Sequence, residues 1–261
     1  MKHFNQSKVK HEAVLILLLI FLVVPLSFAQ QSSSSELEKM PVDLETDFAL
    51  SALPSHLREG ATVYLLDPKK GYYKARQGDN PFTCFVSRTE WEWNEFRNDN
   101  AYAVCYDVEG TRTIIPVYLD VAQMRASGKY TPAQVRDIVV ERIKKGAYKA
   151  PAKPGISYML APVMRTYPNA KTIVTVNLPH YMFYAPYLTD TDIGGEPGTQ
   201  SPGIFNPGDG VLGAGKSPFN YIVLPAGAAE TAKILEENKE LLKRLIDYKS
   251  WFKPEGRSDH H

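Results

Sequence analysis

The sequence predicts a single α+β domain: an antiparallel or mixed sheet carrying about three packed helices. Three observations lead there. Short β-like apolar runs recur between turns rich in Gly, Pro, Asn and Asp. Helical periodicity is confined to three separated stretches, around Leu44, Val135 and Leu242. Strands and helices do not alternate one for one, as a parallel βαβ fold would require.

The chain opens with Lys2, Lys8 and Lys10, an almost wholly apolar run from Ala13 to Phe28, and Ser27-Phe28-Ala29 with small residues at both positions a signal peptidase reads. Residues 1–29 are therefore expected to be a signal peptide cleaved near Ala29, giving a periplasmic or secreted protein. The apolar run is short of the roughly 20 residues a membrane span needs, so no stable span is expected after cleavage. Cleavage leaves 232 residues, enough for one domain. It also takes the net charge from +1 to −1, because the leader carries three Lys and one Glu. That balance offers no concentrated basic patch, which excludes nucleic acid as an expected partner.

Gln30–Val42, with Ser32 to Ser35 near its centre, reads as a disordered linker, and the domain is expected over residues 43–253 with a disordered tail at 254–261. Leu44 and Phe48 predict a short helix that Pro54 ends. Thr62–Leu66, the turn Asp67–Gly71 and Tyr72–Ala75 predict a β-hairpin. Two more strands follow, each containing one of the chain's two cysteines, Cys84 and Cys105. In an oxidising compartment this pair predicts a disulfide that staples the irregular, charged segment Arg88–Asn100. Ile114–Leu119 is a further short apolar run. Thr131-Pro132-Ala133-Gln134 is a capping box, and Val135, Ile138, Val139 and Ile143 line one face of the helix it starts, up to Gly146. Ile156–Leu160 and Thr172–Leu178 are strand-like. Thr189–Pro218 reads as a long loop, which is uncommon enough in a compact domain to suggest function or mobility. Tyr221–Leu224 is the last strand, and Ile234, Leu235, Leu242, Leu245 and Ile246 mark one closing helix.

Two motifs fail on context. Gly210–Ser217 matches the letters of a phosphate-binding loop, but it does not follow a strand and Pro218 leads into strand rather than helix. Asp190-Thr191-Asp192 opens like a calcium loop, yet Gly194 stands where an oxygen ligand is needed, and a capped helical turn is the plainer reading. Glu90, Glu92 and Glu95 alternate with Trp91 and Trp93, which reads as a half-exposed amphipathic stretch rather than a carboxylate pair for hydrolysis.

The most informative constellation is Pro179–Tyr184. If the preceding strand runs on through it, Val174, Val176, Leu178, His180, Met182 and Tyr184 share one face, a core face passing into a pocket. The candidate ligand-binding residues are His180, Met182, Tyr184, Tyr158 and Met159. His180 and Met182, with Met159 or Met164 near, form a weaker candidate for a soft metal ion. His180 is also the one plausible general base, with Asp190 or Asp192 to orient it and Ser157 or Tyr158 as partner. Against these stands a hydrogen-bonded structural histidine in an aromatic core. No catalytic residue and no cofactor is assigned.

In that order Phe82-Thr83-Cys84, Cys105-Tyr106-Asp107 before Glu109-Gly110, Ser157–Pro162 and Pro179–Met182 resemble a group of exported bacterial proteins without an established activity. The likeness covers Ala49 to Tyr248. It implies a bacterial source and a periplasmic or secreted home, and it carries over no functional residue. The expectation is an exported binding module for a small ligand or an envelope protein; the alternative is a periplasmic enzyme or metal-binding protein centred on His180.

Overall fold

Turn chemistry and two-residue alternation place eight of the ten strands among the described residues in one mixed sheet. The computed structural model describes residues 37–169, 172–195, 203–205 and 208–255. The expected signal peptide and most of the expected linker and tail lie outside them. Strands β1 (Thr62–Asp67), β2 (Gly71–Arg76), β3 (Thr83–Ser87), β4 (Tyr102–Tyr106), β5 (Ile156–Met159), β8 (His180–Tyr184), β9 (Gly203–Phe205) and β10 (Tyr221–Pro225) form an eight-stranded sheet in the order β2-β1-β3-β4-β5-β8-β10-β9. β1 and β3 pair in parallel, and the other neighbours in this sheet are antiparallel. A separate hairpin joins β6 (Met164–Asn169) to β7 (Thr172–Val176).

The helices, seven among the described residues against the three expected, cover both faces of the large sheet. On one face, Leu44 and Phe48 of α1 (Val42–Ser51) and Leu245 of α7 (Lys239–Tyr248) pack against Val63, Cys84, Val86, Ala103 and Cys105. On the other, residues of α3 (Ile115–Ala126) and α4 (Pro132–Lys144) pack against Phe85, Val104 and Tyr106. Cys84/Val86 and Phe85 point to opposite faces as β alternation demands. The class is thus α+β, as expected.

The missed helices have local causes. Asp107 caps α2 (Val108–Thr113) by accepting from Gly110 N at 2.9 Å, and Pro116 in the first turn of α3 suits a helix start, so Ile114–Leu119 coils instead of extending. The closing helix breaks into α6 (Ala228–Glu237) and α7 at Asn238, whose Nδ2 donates to Ile234 O while its Oδ1 accepts from Arg58. The long loop contains a capped 3-10 turn at Asp190–Ile193, β9 and the short helix α5 (Asp209–Leu212).

The packed chain also begins and ends outside the expected bounds. Leu37 and Met40 are buried and Glu38 O accepts from Arg88, so linker character stops before Val42. Glu255 N donates to Thr175 O, which ties the start of the expected tail to β7.

Cys84 and Cys105 are register partners across β3 and β4 and are bridged, 21 residues apart in sequence. The bridge points to an oxidising compartment. Its loss through a Cys84→Ser/Cys105→Ser double variant is expected to cost about 3 kcal/mol of unfolding free energy on the loop-entropy scale. Urea unfolding of variant and wild type, each with and without reductant, measures it: reductant should lower only the wild-type midpoint.

Candidate functional site

Between the sheet and the α3/α4 layer lies a cavity of about 590 Å³. Its floor comes from strand residues of one face: Val104, Met159, His180, Met182 and Val223. Met159 is the register partner of His180, and Met182 of Val223, so pairing across three strands brings these side chains together. Met164 and Leu178 add to the wall. The segment expected to be a free loop closes another side with Phe205, Gly208 and Val211. Gly208 has φ +80°, and a side chain there would run into the indole of Trp91 at 2.7 Å.

Three of the five candidate ligand residues, Met159, His180 and Met182, therefore meet the cavity. The other two do not. Tyr158 is the register partner of Cys105, so it lies on the opposite face, where it packs edge-on against Phe82 and Tyr181. Tyr184 shares the face of Met182 but is engaged elsewhere. Its hydroxyl lies 2.8 Å from Asp107 Oδ1 and 3.0 Å from Ile156 O, between Gly110 and Gly155, where an added Cβ would strike its ring or hydroxyl.

The expected continuous strand is also interrupted. β7 pairs with β6, β8 belongs to the large sheet, and Asn177-Leu178-Pro179 separates them. Pro179 lacks an N–H for a ladder, and Asn177 Nδ2 is turned to Pro162 O. The shared face of His180, Met182 and Tyr184 holds, but Val174 and Val176 belong to the small hairpin.

His180 is 5% exposed, and its Nδ1 lies 2.7 Å from Leu178 O. A carbonyl only accepts, so Nδ1 carries the proton, and in the neutral ring Nε2 carries the lone pair. Burial lowers its pKa, partly offset by the Leu178 contact, so the ring is neutral at pH 7. The imagined triad is absent. Asp190 Oδ1 accepts from Ile204 N, and Asp192 caps Thr189, so both carboxylates serve loop structure and neither reaches His180.

Sequence reasoning missed the polar wall. Glu90 and Glu92 both line the cavity, in a stretch that is not a strand, so alternation does not apply to it. Trp91 between them is buried in the core. Asn100 Nδ2 donates to Glu90 at 3.1 Å, and Trp91 N donates to Glu92 at 3.1 Å. Burial raises the Glu90 pKa against opposing hydrogen bonds from Glu92, Tyr102 and Asn100. Burial followed by the charge of Glu90 holds the Glu92 carboxyl well above its ordinary range. The two carboxyls in hydrogen-bond contact therefore hold protons to higher pH than free glutamates do. Around them stand Tyr102, Tyr106, Tyr118 and Tyr221, with Tyr106 Oη 3.4 Å from Tyr118 Oη and 3.3 Å from Tyr221 Oη. All four phenols have pKa values raised well above the usual, by burial first, so they are neutral hydroxyls.

The clue available in the sequence was the acid pair itself, whose alternation with Trp91 and Trp93 falls in a stretch that forms no strand. No family model, curated protein or solved structure matches this chain, so the site is read from its geometry alone. Among the described residues no three His, Cys, Asp or Glu side chains cluster as a metal site, and no helix is long and apolar enough to cross a membrane.

The carboxyl pair sets a sign for pH dependence. Because the folded pKa values lie above the ordinary 4.5, the native state holds protons that the unfolded chain releases, and stability falls as pH rises from 4.5 through the raised range. Glu92→Gln should therefore lose less unfolding free energy than wild type between about pH 5 and pH 8. Glu45, pushed up to about 7 chiefly by burial, acts with the same sign in both proteins and cancels from the difference. Chemical denaturation at the two pH values gives the comparison; equal slopes for both proteins would show that the pair holds protons no higher in pH than free glutamates do.

Proposed function

We propose that this chain is an exported, non-catalytic binding protein that takes a small, largely apolar ligand into the cavity beside His180. The reading rests on one observation, the 590 Å³ cavity itself, with Met, Val and Tyr walls and a few convergent polar groups. That size and lining are those of ligand sites. The cavity favours a small ligand over an envelope protein, because its chemistry is concave. The leader at residues 1–29, cleaved near Ala29, would deliver the chain to the periplasm or the exterior, in keeping with the Cys84–Cys105 bridge. Neutral His180 offers its Nε2 as an acceptor, and Met159 and Met182 adapt to an irregular ligand because thioether chains repack easily.

A second reading has an observation of its own. Met159 stands directly opposite His180, with Met182 two residues along the same face, which is the donor set of a soft cation such as Cu(I).

Native mass spectrometry of the protein recovered from the periplasm without chelator separates them. An organic mass excess that falls at least about tenfold in occupancy in Met182→Trp, with an unchanged melting temperature, is the expected result. A copper-sized excess lost in His180→Ala would instead establish the metal reading. A bare mass, together with no thermal shift from a panel of apolar amines, alcohols and acids, would overturn both.

A further inference from the structure

The Glu90–Glu92 pair is an acidic group on the wall of a mostly apolar cavity. The groups that press on Glu90 are Glu92, Tyr102 and Asn100; those that press on Glu92 are Glu90 and nearby backbone. None is a cation. Arg136, the cation on the wall, is engaged elsewhere: its Nε and Nη2 donate to Asp137 at 3.0 and 2.7 Å, and its Nη1 to Asn94 at 2.7 Å. Arg97 is likewise held by Glu95 and Asp99 and stacks 4.6 Å over the outer neighbour Tyr167.

The wall is also rich in acceptors. The carboxyl pair, His180 Nε2 and the thioethers of Met159, Met164 and Met182 all accept. Tyr167, on the same wall and 7% exposed, has a hydroxyl without a hydrogen-bond partner among the described residues. A bound anion would face an acidic pair. A neutral alcohol would leave the carboxyl pair without a cationic partner. An ammonium group donates N–H to several acceptors, neutralises the pair, and is also favoured by nearby aromatic faces.

We propose that the cavity is selective for a hydrophobic amine bound as its ammonium ion, with the head hydrogen-bonded to the Glu90–Glu92 pair and the hydrocarbon body against Met159, Met182 and Val223. This names the ligand class for the binding function proposed above and rests on it. An amine with a body of about eight carbons fits a cavity of this size.

Isothermal titration of the exported protein at neutral pH and physiological salt, with octylamine, 1-octanol and octanoate, tests it, since the three probes differ only at the head. Octylammonium should bind about tenfold tighter than octanol or more, with octanoate weakest. In Glu90→Gln/Glu92→Gln, the octylammonium advantage over octanol should vanish. Octanol binding as tightly as octylammonium in wild type overturns the amine assignment and leaves the cavity reading intact. So does an undiminished octylammonium preference in the double variant. The wild-type series needs no variant, so it decides even where the double variant fails to fold. Failure of all three probes to bind overturns the amine assignment too, and the recovered-protein mass then judges the cavity reading separately.

Discussion

The pairing of β3 with β4 constrains both faces of the sheet at once. Cys84, Val86, Ala103 and Cys105 enter one core, while Phe85, Val104 and Tyr106 enter the other. A slip of one residue would exchange the two sets and bury each against the wrong helices. The Cys84–Cys105 bridge joins residues that already face each other in the ladder, so it holds the register on which both layers depend. β5 and β8 then extend the ladder outward from β4, and the faces of Met159, His180 and Met182 follow from that one alignment.

The same ribbon launches the segment that makes the cavity polar. Between Ser87 and Tyr102 the chain leaves the sheet without regular structure, and its backbone needs partners that no ladder supplies. Arginines provide several of them. Arg125 donates to Arg88 O and Arg97 O and to Asn98 Oδ1, and Arg165 is paired with Asp99 at 2.9 Å. Trp91 is buried and meets Gly208 of the returning loop. The excursion is clamped in this way at both ends and at Trp91, on either side of which stand Glu90 and Glu92.

Much of the scaffold was legible because its signals are local. The Thr131 capping box forms as the sequence predicts, with Gln134 N donating to Thr131 Oγ1 and Gln134 Oε1 accepting from Thr131 N. The β1–β2 hairpin, the α1 helix and the alternation of His180, Met182 and Tyr184 were equally readable, since turn residues and a period of two do not depend on distant partners. Where readings failed, a non-local partner decided. Asn238 divides the last helix through its bond to Arg58, 180 residues away. Tyr158 and Tyr184 left the candidate site because register with β4 turned one away and Asp107 engaged the other. The acid pair stayed hidden because its alternation with Trp91 and Trp93 imitates a half-exposed strand in a stretch that forms none.

Two acidic sites in this fold differ in how far the fold itself satisfies them. Asp107 accepts from Gly110 N and Ile156 N at 2.9 Å each and lies 2.8 Å from the Tyr184 hydroxyl, at the N-terminus of α2. Those donors and the helix dipole satisfy its carboxylate entirely from within the fold. Glu90 accepts from Asn100 Nδ2 and Glu92 from Trp91 N, and the two carboxyls face one another and a cavity ringed by phenols. Phenols whose own ionisation is suppressed can spread a negative charge by hydrogen bonding, but they cannot cancel it. Holding that pair costs folding free energy at neutral pH, and the clamped excursion is what keeps it in place. In the binding function proposed above, an entering ammonium group balances the pair, and the electrostatic cost of holding it is tied to the choice of ligand.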